Sequence, residues 1–341
     1  MIASVIAVMK DGILSGYSAS DPDKLNGGPY VQELEHKWAE VHKVKYAIAV
    51  NSATSGLITA LRALEIGQGD EVITTPFTFS ATWASIKLVG ATPVFADVDL
   101  DSMCIEFLKS TPKTKTLLSV NWNSNSSPFY GRLEDLAQCP GTEMRGEIAV
   151  YSLNQPKNIM CGEGGVIVTN DDELDRRCRL IRNHGENIDP DWIGYNFRLT
   201  EIQAAIASCQ LDHLEYLNNI RHRNWLYLYD QLEQYKDILV PQLITNREIY
   251  SPYCVAFRWL PEQFGKFGHY PNRARVVETL RSEGIPVATG VPVLPMQADS
   301  LTTPNVIKLQ YMQYLGFFQI GWPNTYEDMD DIKRGFRKVI G

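Results

Sequence analysis

The sequence predicts an α/β fold, with a large domain built on a mostly parallel sheet flanked by helices and a small C-terminal α+β domain. Three observations carry this. Short β-branched runs alternate with amphipathic stretches through the first two-thirds of the chain. Gly and Pro punctuate each junction. The texture then changes after Asp237, where Pro241, Pro252, Pro261 and Pro271 interrupt the pattern.

In chain order, Tyr46 to Val50 reads as a buried strand. Thr54 to Leu64 follows as a helix, because Leu57, Leu61 and Leu64 recur at helical spacing, and Gly67 and Gly69 end it. Glu71 to Thr75 is a strand stopped by Pro76, a helix spans Ala81 to Val89, and Pro93 to Asp97 is the next strand. Thr116 to Val120, Glu147 to Leu153 and Gly165 to Thr169 are further strands. One long helix is expected from Leu199 to Leu217, a second from Arg221 to Leu232, and others near Arg273 to Glu283 and Tyr326 to Val339. The expected division is 1–217 for the large domain, whose first residues could pack elsewhere, and 218–341 for the small one.

The chain has 341 residues, 44% hydrophobic and 21% charged, the profile of a globular protein. Its net charge of −8 argues against a nucleic-acid partner. Backbone N–H groups at a helix start can still hold a phosphate without a basic surface. Six scattered cysteines show no CxxC pairing and no His at ligand spacing, so no metal site is expected and the thiols read as buried in a reducing compartment. The opening segment is apolar only as far as Lys10, no run could span a membrane, and the expected location is cytoplasmic.

Four segments at strand ends could carry chemistry. Asn51-Ser-Ala-Thr-Ser-Gly56 precedes a helix and could seat a phosphate, or be an ordinary N-cap by Ser52 or Thr54. Pro76-Phe-Thr-Phe-Ser-Ala-Thr82 offers an aromatic, which taken alone reads as core. Leu133-Glu-Asp-Leu-Ala-Gln138 offers carboxylates, which taken alone read as the acidic start of a helix. Ser152-Leu-Asn-Gln-Pro-Lys157, followed by Gly162-Glu-Gly-Gly165, places a lysine beyond a strand end, where an amine can form a Schiff base with an aldehyde cofactor.

The order of these segments resembles the DegT/DnrJ/EryC1/StrS family of sugar aminotransferases, which are fold-type-I pyridoxal-phosphate (PLP) enzymes. Asn51 to Leu57, Gly69 to Thr74, Thr78 to Thr82 and Gly90 to Asp97 fit its N-terminal half. Ser152 to Gly165 looks like its lysine signature, and Arg182-Asn-His-Gly185 and Gly194-Tyr-Asn-Phe-Arg198 also fit. The resemblance is dense from Gly28 to Leu217 and thin afterwards. It implies that Lys157 carries PLP and shuttles the proton, that Asp135 pairs with the pyridine nitrogen, and that Gln138 lies by the phenolic oxygen. Phe79 would stack on the ring, and Ala53, Thr54 and Ser152 would contact the phosphate. Asn196 would reach the phosphate of a neighbouring subunit, implying a homodimer. The implied donor is an amino acid, glutamate in most of the family, and the acceptor a nucleotide-linked keto-deoxysugar, in a ping-pong reaction. A keto-cyclitol acceptor and a non-catalytic, PLP-binding regulatory homologue are the alternatives. Relatives that are sugar dehydratases carry His in place of the lysine, and some hold an iron–sulfur cluster; Lys157 and the cysteine spacing set this chain apart from them. His184 is a candidate to line the site, and Arg198 to meet a donor carboxylate or to form an ordinary salt bridge.

Three departures stand out. Between Val120 and Glu134 the family has a full crossover helix, whereas residues 121–132 here have no helical periodicity and read as loop. Tyr17 to Asn26 looks like an insertion. Thr289 to Pro295 lacks the Tyr often found after the Gly of that segment.

Overall fold

A computed structural model describes residues 1–245, 251–260, 273–288, 303–309, 314–317, 320–321 and 323–340. The segment Thr289 to Pro295 lies outside the described residues.

The large sheet has seven strands in the order β1-β7-β6-β5-β4-β2-β3. These are β1 (Tyr46–Val50), β2 (Glu71–Thr74), β3 (Thr92–Phe95), β4 (Thr114–Val120), β5 (Leu133–Asp135), β6 (Ile148–Ser152) and β7 (Gly165–Thr169). Only β7 runs against its neighbours; the other pairings are parallel. Side chains alternate between the two faces, as the period of a strand requires. Ile48, Val50, Ile148, Val150 and Ile167 enter one core with Leu57 and Leu61 of α3 (Ala53–Ala63) and Leu174 and Ile181 of α5 (Asp172–Arg182). Ala47, Ala49, Ala149, Tyr151, Val166 and Val168 enter the opposite core. There they meet Leu34 and Trp38 of α2 (Pro29–His42) and Ala204 and Leu211 of α6 (Glu201–Leu211). The expected mostly parallel sheet is therefore observed, with helices on both faces.

The expected helix from Leu199 to Leu217 is in fact two. Helix α6 starts two residues later than expected, where Thr200 accepts from the Gln203 N–H in a capping box. It stops at Asp212, and α7 (Leu214–Leu232) begins after His213, absorbing the helix expected from Arg221. Helix α7 passes through position 217. Its Trp225, Leu228 and Leu232 join Phe257, Trp259 and Phe336 in a separate core. That core belongs to an antiparallel sheet ordered β10-β11-β9-β8, from β8 (Leu239–Pro241), β9 (Val255–Trp259), β10 (Val287–Ala288) and β11 (Tyr314–Phe317). Helices Arg273–Ser282 and Tyr326–Ile340 follow as expected.

Two features pin α2. The Glu201 carboxylate accepts from the N–H groups of Gly28, Tyr30 and Val31 at 2.9, 2.9 and 3.2 Å, satisfying helix-start donors that α2 has no side chain of its own to cap. Glu35 is buried between Arg179 and Arg182 at 2.8 and 2.6 Å and also accepts from the Ala49 N–H. Tyr17 stacks under the Arg182 guanidinium at 4.8 Å.

Helix α1 (Ile2–Asp11) packs on α6 with Val8 buried, and Ser4 Oγ lies 2.9 Å from Cys209 Sγ. The other five cysteines are buried, and burial pushes the thiols of Cys104, Cys139 and Cys161 up to about 12. Among the described residues no helix is long and apolar enough to cross a membrane.

Candidate active site

The C-terminal ends of the parallel strands converge with the start of β7, the edge at which α/β sheets collect ligands. Strand β5 ends there on Asp135, and β6 ends on Ser152, paired to Gly165. Asp135 was read, taken alone, as the start of a helix. It is instead the last residue of a three-residue strand paired parallel to β4 and β6.

The connection from β4 to β5 is the shortened segment 121–132. It crosses between parallel neighbours with one 3-10 turn, Trp122–Ser124, and no α-helix. Parallel pairs ordinarily need a longer, helical crossover. Two features make the short path possible. Asn123 and Ser124 both adopt left-handed backbone, with φ of 52° and 63°. Gly131 crosses so close to β4 that a Cβ would lie 2.1 Å from the Leu117 carbonyl oxygen. The segment is polar like a surface loop, yet Asn121, Asn123, Asn125 and Ser127 are buried. Their side chains take over what secondary structure would have supplied. Asn121 Oδ1 accepts from Ser127 N–H, and Asn125 Nδ2 donates to the Ser102 and Leu243 carbonyls. Asp135 stands at the strand end after this short crossing.

The Asp135 carboxylate is buried. Its Oδ2 accepts from Thr82 Oγ1 at 2.7 Å and its Oδ1 from Ala137 N–H at 3.0 Å. Thr82 Oγ1 lies 2.9 Å from Thr78 Oγ1, a turn earlier. Burial pushes the Asp135 carboxyl above its usual range, against the opposing pull of these two hydrogen bonds and of Lys157. Lys157 follows β6 in a turn closed by its N–H to the Asn154 carbonyl. The residue is half-buried, with its amine end enclosed. Burial draws the ammonium below its usual value, and Asp135 is the main group opposing that. The two interact through space rather than as a contact pair. Lys157 Nζ sits 4.5 Å from the centroid of the Tyr253 ring, which enters from the residues before β9.

Beside them, α3 presents its N-terminus. Ser52 is the N-cap and accepts from Ser55 N–H, leaving the N–H groups of Ala53 and Thr54 at the helix start. Gly165 passes so close that a Cβ there would stand 2.7 Å from Ala53 N. Ser152 Oγ accepts from Asn154 N–H. Phe79, read alone as core, is 57% exposed at the N-cap of α4 (Ser80–Leu88). The core aromatic of that segment is Phe77, packed on Trp122. Gln138 Oε1 accepts from Asn123 N–H at 2.6 Å.

Asn196 and Arg198 lie next to β1, since Asn51 N–H donates to the Phe197 carbonyl and Val50 bridges to Arg198. Asn196 is exposed, and Arg198 Nε donates to its Oδ1 at 2.8 Å. His184 takes left-handed backbone and faces Glu186 at 3.7 Å. The structure puts Lys157 within electrostatic reach of Asp135, three residues before Gln138, and puts Ser152 beside Gly165, which lies against the start of α3; Phe79 is exposed. Asn196 and Arg198 lie beside the end of β1, and Asn196 bridges to Asn183, the neighbour of His184. Thr82 and Tyr253 were not singled out in the sequence. The Thr78–Thr82 spacing was a signal for the first. Nothing local marks Tyr253, which arrives from the other sheet. Among the described residues no group of three or more His, Cys, Asp or Glu side chains is gathered as a metal would require.

A model of the DegT/DnrJ/EryC1/StrS aminotransferase family matches residues 17–298. The X-ray structure of an aminotransferase from Psychrobacter cryohalolentis shares the fold, with TM-score 0.84 and 24% identity over 100% of this chain and 97% of that one. A DegT/DnrJ/EryC1/StrS aminotransferase from Brucella abortus superposes with TM-score 0.82 and 26% identity, over 99% of this chain and 95% of that one. The GDP-4-keto-6-deoxy-D-mannose-3-dehydratase of E. coli, solved with hydrated PLP, gives TM-score 0.84 and 21% identity over 98% and 95%.

Proposed function

Because this chain belongs to the DegT/DnrJ/EryC1/StrS aminotransferase family, we propose that it moves an amino group from glutamate to a nucleotide-linked keto-deoxysugar. Its cofactor is PLP. The observation that carries the reading is a buried carboxylate at the end of β5 within electrostatic reach of a lysine in the turn after β6. Both lie at the strand-end edge of the sheet, where α3 also starts.

The residues fit the cofactor. Bound there, PLP supplies an electron-withdrawing ring that stabilises negative charge developed on the donor carbon. Lys157 would hold it through its amine and move the proton. Burial favours the neutral amine, which is the form that attacks a carbonyl and accepts a proton. Asp135 would keep a proton on the pyridine nitrogen, with Thr82 and Ala137 fixing its orientation. The free N–H groups of Ala53 and Thr54, with Ser152 Oγ, would take the phosphate; a side chain at Gly165 would crowd that cradle. Phe79 would cover the ring. Gln138 turns its oxygen to Asn123, so its amide NH₂ would face the ring oxygen. Exposed Asn196 would serve the phosphate of a second subunit in a homodimer, with His184 and Arg198 on the substrate side of that rim. With this reading go a cytoplasmic location and a division into residues 1–217 and 218–341.

The test is direct. The protein purified with PLP should show the yellow band of the lysine-bound cofactor and lose it on adding glutamate, and Lys157→Ala should do neither. A band that glutamate leaves unchanged would overturn glutamate as donor. A panel of nucleotide-linked keto-sugars and keto-cyclitols, offered to the aminated protein, then decides the acceptor.

A further inference from the structure

We propose that Asn123 and Tyr253 form a positioning pair for Lys157: Asn123 grips the main chain beside Tyr253 and thereby holds the Tyr253 ring against the lysine amine. The proposal rests on the reading of Lys157 as the carrier amine. Asn123 lies in the segment that stands where relatives are expected to have a helix, and it is fully buried. Its Oδ1 accepts from Cys254 N–H at 2.7 Å, and its Nδ2 donates to the Cys254 carbonyl at 2.9 Å and to Gln242 Oε1 at 2.8 Å. One side-chain amide thus reads both main-chain groups of the residue after Tyr253, as a neighbouring strand would. From the other side, Arg221 Nη1 donates to the Tyr253 carbonyl at 3.1 Å. The left-handed backbone at Asn123 and Ser124 is a conformation that persists only where surrounding contacts impose it. The same residue's N–H meets Gln138, so one position ties the end of β5 to the smaller sheet.

An aromatic face attracts a cation, and more strongly when both are desolvated. Around the Lys157 amine stand Asp135, Cys139 and Cys254, with Tyr253 as the ring and Arg221 behind it. Tyr253 then supports the ammonium form of Lys157 against the effect of burial when the lysine is not holding the cofactor.

The experiment uses cofactor-free full-length protein. Pyridoxal is added across a range of pH, the product is trapped with borohydride, and modification of Lys157 is read by peptide mass spectrometry. Tyr253→Leu should move the pH profile of Lys157 modification down by roughly half a unit to one unit. Tyr253→Phe, which keeps the ring, should restore the original profile. Asn123→Gly, chosen because Gly accepts the left-handed backbone, should shift it in the same direction, and combined with Tyr253→Leu should add nothing. Should Asn123→Gly fail to fold, Gln242→Leu, which removes the acceptor orienting the Asn123 amide, takes its place. An unchanged profile in Tyr253→Leu, or full additivity of the two changes, would overturn the proposal. Absence of Lys157 labelling at every pH in the unaltered protein would instead overturn the carrier-lysine reading.

Discussion

Two clusters of buried charge lie on the same sheet and are built on opposite rules. In the Glu35–Arg179–Arg182 cluster each carboxylate oxygen meets a guanidinium. Burial alone would raise the Glu35 carboxyl, but Arg179 and Arg182 outweigh it and hold it below its usual range. At the strand ends, Asp135 and Lys157 feel each other without touching, and burial wins at both: the carboxyl is raised and the ammonium lowered. A saturated cluster locks α2, β1 and α5 together. At the strand ends both Asp135 oxygens accept from neutral donors and Lys157 faces an aromatic ring, so each charge is left without the ion-pair partner that Glu35 has.

The contrast can be broken by substitution, and the largest effect should come at Lys157. Lys157→Ala should abolish transamination while leaving the cofactor-free protein no less stable. The folded-state pKa of Lys157 is lowered by burial, so its contribution is present above the unfolded value and lost as pH falls through the folded one, and holding the ammonium in the folded protein adds no stability. Glutamate-driven spectral change and urea unfolding read the two halves. Glu35→Ala should do the reverse, costing about 3–5 kcal/mol by leaving two guanidiniums buried without their carboxylate. A shifted urea midpoint with near-normal turnover of the folded fraction would show it.

Asp135→Asn should reduce turnover on the order of 10²–10³-fold, the usual cost of removing a preorganised electrostatic partner. Because the folded pKa of Asp135 is raised, its contribution is complete below the unfolded value and lost as pH rises through the folded one. The stability gap in favour of the Asn variant should therefore open as pH rises past the carboxylate range. A stability loss at neutral pH would place Asp135 with the saturated class. The smallest effect belongs to His42. It is stacked on Trp38, bonded to the Trp38 carbonyl and to Gly141 N–H, and its pKa is lowered by burial to about 4. Its contribution is present above the unfolded value near 6.5 and lost as pH falls through about 4. That amounts to roughly 3 kcal/mol over the window. His42→Gln should flatten the stability profile between those limits.

Much of the large sheet was legible because its strands alternate cleanly and its turns carry Gly and Pro. Lys157 and Asp135 were legible through the resemblance, since neither differs locally from an ordinary charged residue. What stayed hidden was long-range. The break at Asp212 separating α6 from α7 has no Gly or Pro to announce it. Strand β5 is three residues long and acidic, so its strand character comes from β4 and β6 on either side. The segment 121–132 was correctly read as non-helical, but composition alone would have put it on the surface. Its Asn side chains are buried because they replace backbone pairing, which no periodicity records. The segment Pro76 to Thr82 did not show which of its aromatics faces inward, because whether Phe77 or Phe79 is buried depends on where α4 starts.

The burial of five cysteines has a practical side. Thiols react as thiolates, and those pushed to about 12 or enclosed in the core present almost none at neutral pH. Cys209 is the half-exposed one, and Ser4 of α1 leans on its sulfur. The unaltered polypeptide is therefore already a single-label reagent, taking a maleimide dye at one address without any engineering. Because Ser4 of α1 lies against that sulfur, the pace of labelling should rise when the N-terminal helix detaches.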